Sequence, residues 1–424
     1  MYRLTKPKKD LKGVIRLTAS KSESNRALII QALSQTPIQL NNLAEAKDTQ
    51  TLINILQQDK INFKEGVQYD VGPAGTTMRF LTAYFATKPG TRILTGSERM
   101  KQRPIKPLVD VLNQLGAEIT YLEKEGFPPL KIKGKILTRN EAEIDGSMSS
   151  QFTTALLLIS PQLFNGLVLR FKGEVTSPAY IKMTLKMMEH FNVNGIWEGD
   201  TITVSNQQYK TDDGQAYTIE ADWSAASYWY SMAAMASDVD LRIMGLNNNS
   251  LQGDSIIKDL YTLFGVKTEF VEGGIHLTKS KPVVQAFGFD FSDCPDIAQT
   301  VAVTAAGLRI PILLNGLHTL KIKETDRISA LIAELNKFGI DAHETFPNTI
   351  EIKEYRSPSI QPQFFVHTYD DHRMAMCFAP LAMVYDNIII EHPEVVDKSY
   401  PGFWEDLRKL KFVVEKMDLS AKYK

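Results

Sequence analysis

One short pattern recurs along the chain and limits its fold more than any other feature. It is a turn rich in Gly, Ser or Asp, followed by a helix of small and apolar residues. The instances are SESNRALIIQAL from Ser22, GTTMRFLTAYFA from Gly75, SSQFTTALLLIS from Ser149, SAASYWYSMAAMA from Ser224, PDIAQTVAVTAAG from Pro295 and DHRMAMCFAPLAM from Asp371. After a shorter first step they follow one another at about 75 residues, too long an interval for a solenoid and suited to a small α/β unit. Between them lies a second, amphipathic set, clearest in RPIKPLVDVLNQLGAEI, GDSIIKDLYTLFGVKTEF and TDRISALIAELNKFGIDA and fainter in DTQTLINILQQDK, SPAYIKMTLKMMEHF and SYPGFWEDLRKLKF. The clear examples have a charged or Pro-marked start, Leu and Ile at helical spacing, and a Leu-Gly or Phe-Gly stop. TRILTG, LVLRFKG, TITVSN, IHLTKS and TIEIKE supply short strands.

Helices that are apolar on most faces must be enclosed, so the first helix of each unit is expected inside, with sheets around it. Six units divide naturally into two groups of three, with the seam near Glu220-Ala221-Asp222. Residues 20–221 are expected to form one domain. Residues 222–424, completed by an N-terminal strand within residues 1–19, are expected to form the other. A cleft between two such domains is the expected ligand site.

Forty-eight basic residues against 49 acidic ones leave a net charge of −1, so nothing biases the chain as a whole towards nucleic acid or an anionic membrane. Any anion site must be local. Cys294 and Cys377 are too few for a metal cluster or a disulfide framework, and a reducing, cytoplasmic setting fits them. Met1 to Leu17 lacks the apolar core of a signal peptide, and no apolar run approaches the ~18 residues that span a bilayer. A soluble protein is expected, with a frayed Lys-rich tail after Met417.

The chemistry gathers at helix starts. Lys323-Glu324-Thr325-Asp326-Arg327 precedes the stripe Ile328, Leu331, Ile332, Leu335 and Phe338, which Gly339 closes. Thr325 and Asp326 are N-cap candidates, so Lys323, Glu324 and Arg327 should crowd a helix N-terminus that already favours anions. The competing reading is a well-capped surface helix. Lys21-Ser22-Glu23-Ser24-Asn25-Arg26 is likewise either a phosphate or carboxylate clamp or a capping turn. In Gly72-Pro73-Ala74-Gly75-Thr76-Thr77-Met78-Arg79, Gly75 either lets backbone approach an anion or only makes a turn. Arg99 to Pro104 is a cation cluster or a solvated basic loop. Ser147-Met148-Ser149-Ser150-Gln151 and Ser177-Pro178-Ala179-Tyr180 offer neutral donors or caps. Asp296 either balances a helix dipole or, where water is excluded, serves as a general base. Asp370-Asp371-His372-Arg373 and Lys398-Ser399-Tyr400-Pro401 complete the set. So many charged or hydroxylated helix starts ahead of apolar helices imply a polyanionic small-molecule site.

KSESNR, GPAGTTMR, RMKQRP, GSMSSQF, SPAY, EADWSAASYW, QGD, PDIAQT, KETDR, DHRMAM and the lysine before SYPGFW stand in family order. Through them the chain resembles the 5-enolpyruvylshikimate-3-phosphate synthase family (3-phosphoshikimate 1-carboxyvinyltransferases) over essentially its whole length. The resemblance implies two similar domains, each of three βαβαββ units with buried helices and outer sheets, an inside-out α/β barrel. It implies transfer of the carboxyvinyl group of phosphoenolpyruvate to the 5-hydroxyl of shikimate-3-phosphate. Lys21 then serves both substrates and the chemistry. Ser22, Arg26, Ser149, Ser150, Gln151, Ser177 and Thr319 serve shikimate-3-phosphate. Gly75, Arg103, Gln151, Arg327, Arg373 and Lys398 serve phosphoenolpyruvate. Asp296, Lys323 and Glu324 lie at the reacting centre, with Asp296 as base for the hydroxyl and Glu324, initially protonated, as the proton carrier for the methylene. His372 and Lys398 are alternative donors to the leaving phosphate. Neither cofactor nor metal is implied, and the expected partners are the two small-molecule substrates alone, with no nucleic acid, no membrane and a monomeric state.

The chain departs from the family pattern at Pro73 and Thr319, where Asn is usual or frequent, and at Phe80, where Pro is usual. Two rival readings share the fold. UDP-N-acetylglucosamine enolpyruvyl transferases typically carry a reactive Cys in the first-half domain, whereas Cys294 and Cys377 both lie in the second half. A non-catalytic polyanion-binding protein would have no need of Asp296 and Glu324 together.

Overall fold

The computed structural model describes residues 1–211, 214–355 and 363–417. The tail expected to fray falls outside them. The chain forms two compact units, Met1–Ala19 with Glu220–Lys424 (the split unit) and Ser20–Ile219 (the inserted unit). Glu220 and Ala221 belong to the split unit. The Glu220 carboxylate accepts from Trp223 Nε1 at 2.8 Å, Asn247 N at 2.8 Å and Gln252 Nε2 at 3.0 Å, and Ala221 forms a β-bridge with Ala19. No helix among the described residues is long and apolar enough to cross a membrane.

In the inserted unit three helices, Lys21–Leu33, Gly75–Ala86 and Ser150–Ile159, pack on one another. In Gly75–Ala86 every residue but Thr76 is buried, as the absence of a polar face in its sequence requires. The amphipathic helices are Lys47–Asn62, Lys106–Gln114 and Pro178–His190. One sheet runs Val67–Asp70, Gly90–Thr95, Leu130–Gly134, Glu118–Tyr121, and a second Glu141–Asp145, Leu167–Lys172, Thr201–Val204, Gly195–Glu198. A third is the parallel pair Leu40–Asn41 and Tyr217–Thr218.

The split unit repeats the plan with the mutually packed helices Trp223–Met235, Ala298–Leu308 and His372–Phe378. The apolar run from Asp371 does not stay α-helical to Met383 but tightens to a 3-10 turn over Ala379–Met383. Pro380 is the cause, since it lacks an N–H and its ring collides with the carbonyl four residues back. Among the described residues each four-stranded sheet of either unit has a parallel pair first, followed by two antiparallel strands. A parallel pair needs a crossover, and the buried helix provides it. The helices starting at Gly75, Ser150 and His372, and the turn at Pro295, therefore begin just past the C-terminal ends of strands.

The N-terminal segment contributes two strands where one was expected. Asp10–Arg16 pairs in parallel with Asp238–Met244, and Tyr2–Thr5 lies between Ile388–Ile390 and Val413–Lys416 in a different sheet.

Sheet and buried helix approach closely at Gly134, where a Cβ would run into the carbonyl oxygens of Phe85, in the last turn of the helix, and of Lys88 just beyond it. Gly134→Ala should cost about 3 kcal/mol of stability through overpacking and lower the thermal midpoint. An unchanged midpoint in a melting scan would contradict this contact.

Candidate active site

In the split unit the residues at the start of helix Arg327–Lys337 meet those from two core-helix starts. Asp326 takes the N-cap, accepting from the amides of Ile328 and Ser329 at 3.1 Å each, so Thr325 is not the cap. Asp326 is thereby spent on its own helix, and Arg327 points inward.

Arg327 is 2% exposed and donates to three carboxylates. Nε reaches Asp371 Oδ2 at 2.7 Å and Nη2 reaches Asp371 Oδ1 at 3.2 Å, a bidentate pair. Nη2 also reaches Glu324 Oε2 at 2.9 Å, and Nη1 reaches Asp296 Oδ1 at 3.3 Å. Burial works to lower its pKa, but Asp371 and Glu324 more than reverse that, so it stays charged.

Around this centre stand the other expected cations. Arg373 Nη2 lies 2.9 Å from Asp296 Oδ2, and its Nη1 donates to the Asp296 carbonyl at 3.1 Å and to Tyr228 Oη at 3.4 Å. Lys323 Nζ is 3.7 Å from Asp296 Oδ1, and Lys398 Nζ is 2.7 Å from Glu324 Oε1. His372 opens its helix with Nδ1 3.6 Å from Asp371 Oδ1, while Asp371 caps that helix by accepting from Arg373 N at 2.8 Å. Thr319 sits in the 3-10 turn His318–Ile322, buried, its hydroxyl without a partner among the described residues. Every expected site residue of this unit thus falls within one ion-paired cluster or in the turn beside it.

The inserted unit assembles a different, largely neutral set. Lys21 Nζ lies 3.2 Å from Asp48 Oδ2 at the start of helix Lys21–Leu33, which Ser20 rather than Ser22 caps. Arg26 is buried among neutral acceptors. Nε reaches Thr184 Oγ1 at 2.9 Å, Nη1 the Ser22 carbonyl at 2.8 Å, and Nη2 Thr154 Oγ1 at 3.4 Å. Burial pushes its guanidinium down to about 10, which leaves it cationic at neutral pH. Glu23, Ser24 and Asn25 are structural: Glu23 accepts from Tyr217 Oη at 2.6 Å, Ser24 Oγ from Ala44 N at 2.9 Å and Asn25 Oδ1 from Thr49 Oγ1 at 2.9 Å.

The Arg103 guanidinium lies over Gly75, where a Cβ would stand 2.9 Å from Arg103 Cζ. Arg103 Nε has no partner among the described residues, whereas Arg79 is tied to the Gly75 and Pro104 carbonyls at 3.2 and 3.0 Å. Gln151 Nε2 reaches Thr76 Oγ1 at 3.3 Å. Ser149 Oγ caps its own helix through Gln151 N at 3.4 Å, with Ser150 next in the chain. Ser177 is held at φ +52° with no capping bond, so its hydroxyl is not consumed by the helix it precedes.

A cavity of about 570 Å³ opens in the same unit between Pro104 and Met148, but its rim carries Asp110, Glu125, Glu143 and Asp145. Lys106 pairs with Asp110 and Glu125 at 3.4 and 2.9 Å, so the lining keeps an excess of carboxylates and offers no unpaired lysine to an anion.

The EPSP synthase (3-phosphoshikimate 1-carboxyvinyltransferase) family model matches residues 5–407. The chain belongs to the EPSP synthase family. It is 46% identical to a 3-phosphoshikimate 1-carboxyvinyltransferase of Bacteroides fragilis over 98% of both chains. It is 35% identical to one of Sulfurovum sp., over 96% of this chain and 98% of the relative. In fold it is similar to an EPSP synthase of Acinetobacter baumannii, with a TM-score of 0.75 at 19% identity over 98% of this chain and 99% of the other.

Against the pattern of that family, Phe80 presents its ring 5.8 Å from Arg26 Cζ, a cation–π contact that proline could not make. Cys294 and Cys377 are both buried, and burial raises both thiols above their ordinary value, so neither is a reactive nucleophile.

Sequence reasoning assigned no role to Asp48, Asp254, Asp371 or Tyr228. Asp371 could have been suspected from its neighbours. Asp48 and Asp254 lie at starts of amphipathic helices, where an acidic residue is ordinary and carries no signal.

Asp254 is 4% exposed, accepts from Ser224 Oγ, and has its other oxygen unpartnered among the described residues. Burial, reinforced by the like charge of Asp296, pushes its pKa from 3.8 to about 7. The folded value lies above the unfolded one, so folding takes up a proton between these values, and stability falls as pH rises through the window and then levels off. Asp254→Asn removes the coupling. Its stability relative to the parent should rise by on the order of 3 kcal/mol from pH 4 to pH 7, read by denaturant unfolding. A constant difference across that range would contradict a neutral Asp254.

Proposed function

We propose that this chain transfers the carboxyvinyl group of phosphoenolpyruvate to the 5-hydroxyl of shikimate-3-phosphate, releasing phosphate by addition and elimination. One observation carries the reading: two carboxylates flank one buried guanidinium, Asp296 3.3 Å from Arg327 Nη1 and Glu324 2.9 Å from Arg327 Nη2, with Lys323, Arg373 and Lys398 around them. The reaction requires two proton transfers and the neutralisation of a phosphate and a carboxylate, and these residues can supply both.

In the addition step Asp296 accepts the hydroxyl proton while that oxygen bonds to C2 of phosphoenolpyruvate and C3 takes a proton from Glu324. A tetrahedral intermediate with a new methyl group results. In the elimination step Glu324 removes a methyl proton, the C2–O bond to phosphate breaks, and phosphate leaves with a proton from Lys398 or His372. Glu324 is ion-paired to both Arg327 and Lys398, at 2.9 and 2.7 Å. It becomes a proton carrier only when the phosphate and carboxylate of the substrate draw those cations to themselves. Arg327, Arg373 and Lys398, with Arg103 over Gly75, Lys21 and Gln151, hold phosphoenolpyruvate. Lys21, Ser22, Arg26, Ser149, Ser150, Gln151, Ser177, Thr319, Lys323 and Asp296 hold shikimate-3-phosphate. The reading includes a cytoplasmic monomer that needs no cofactor.

Purified protein should release phosphate from phosphoenolpyruvate with shikimate-3-phosphate and not with UDP-N-acetylglucosamine. Asp296→Asn and Glu324→Gln should each lose on the order of 10² to 10⁴ in kcat while keeping the parent's circular dichroism. Release only with the nucleotide sugar would overturn the acceptor, and near-parental turnover in either variant would remove that residue from its role.

A further inference from the structure

Arg373 and Asp371 are delivered by a turn that its own sequence disfavours. The Asp371 amide donates to the Thr368 carbonyl at 2.8 Å, closing a four-residue turn whose central residues, Tyr369 and Asp370, have φ of +52° and +53°. Positive φ at both central positions is the mark of a type I′ turn, which Gly, Asn and Asp dominate. Asp370 suits it. Tyr369 does not, since a bulky side chain at positive φ is strained, and such strain persists only where surrounding contacts hold it.

The contacts that hold it run to Glu334. The Tyr369 hydroxyl donates to Glu334 Oε1 at 2.8 Å, and His367 N donates to Glu334 Oε2 at 3.1 Å. Glu334 is itself fully buried and is neutralised by Lys337 Nζ at 2.7 and 2.6 Å. Burial, together with the bond to Glu334, keeps the Tyr369 phenol well above its ordinary value, so the donor is present at any physiological pH. Glu334 lies two helical turns after Arg327 on the helix Arg327–Lys337, on the same face, and Arg327 binds Asp371. The helix therefore grips the strained segment on both sides of the turn.

We infer that Tyr369, through Glu334, is a positioning residue that holds the Thr368–Asp371 turn in its left-handed form and so aims Asp371 and Arg373. Its hydroxyl touches no reacting atom. Its effect should fall on phosphoenolpyruvate, whose anionic groups Arg327 and Arg373 serve, and not on shikimate-3-phosphate, which the inserted unit mainly holds. The inference rests on the function proposed above for its kinetic consequence, and on the turn geometry alone for its structural one.

The test compares the parent, Tyr369→Phe, and the double variant Tyr369→Asn with Asp370→Gly, whose Asn-Gly pair forms a type I′ turn without a clamp. Tyr369→Phe should raise KM for phosphoenolpyruvate about tenfold and leave KM for shikimate-3-phosphate within twofold. The double variant, which also lacks the hydroxyl, should recover most of the loss. In parallel, hydrogen–deuterium exchange of Tyr369→Phe should accelerate in peptides covering residues 366–378 and not elsewhere. An unchanged KM for phosphoenolpyruvate, equal increases for both substrates, or no recovery in the double variant would each overturn the inference. If the parent shows no turnover, the proposed function fails instead, and the exchange measurement alone decides: local acceleration supports the clamp and unchanged exchange overturns it.

Discussion

The split unit turns on the bidentate pair between Arg327 and Asp371, both buried. Removing one member of such a pair leaves a charge without solvent, typically at a cost of about 3 to 5 kcal/mol. The carboxylate that neutralises the guanidinium also caps the helix carrying Arg373, so one side chain fixes two cations. Asp296 and Glu324 then take the remaining donor directions of Arg327. A planar fork of donors imposes that layout, which a lysine could not.

That cluster needs rigid walls, and helices rich in small residues provide them. Between Trp223–Met235 and Ala298–Leu308 the buried hydroxyls are mutually satisfied. Thr304 Oγ1 donates to Ser231 Oγ or the Thr300 carbonyl, both at 2.7 Å, and lies 2.6 Å from Tyr261 Oη, while Ser227 Oγ reaches Thr300 Oγ1 at 3.1 Å. Such a network permits a polar interior without the penalty of unpaired groups. The inserted unit solves a different problem. Arg26 is surrounded by hydroxyl and carbonyl oxygens and by the face of Phe80, so dipoles solvate its charge.

The repeat plan, the buried helices and most strands were legible because period and composition are local properties. TRILTG and TIEIKE became Gly90–Thr95 and Thr349–Tyr355 with little change, and each amphipathic segment became a helix. The sequence pattern did not show the second N-terminal strand, because Tyr2–Thr5 acquires its partners from residues near the other end of the chain. Nor did it tell capping from binding. Ser20 and Asp326 turned out to be caps, while Ser177, equally well placed for a cap, is not one.

By itself the sequence determined the family, the α/β repeat and which helix starts carry charge, since these follow from residue type and spacing. Tertiary structure alone decided which charges face each other. Asp48 meets Lys21 across 27 positions, Glu334 meets Tyr369 across 35, and the pKa of Asp254 is raised to about 7 by burial, with the like charge of Asp296 adding to it. Ion pairing, desolvation and strain depend on distance in space, and no local pattern of residues records that distance.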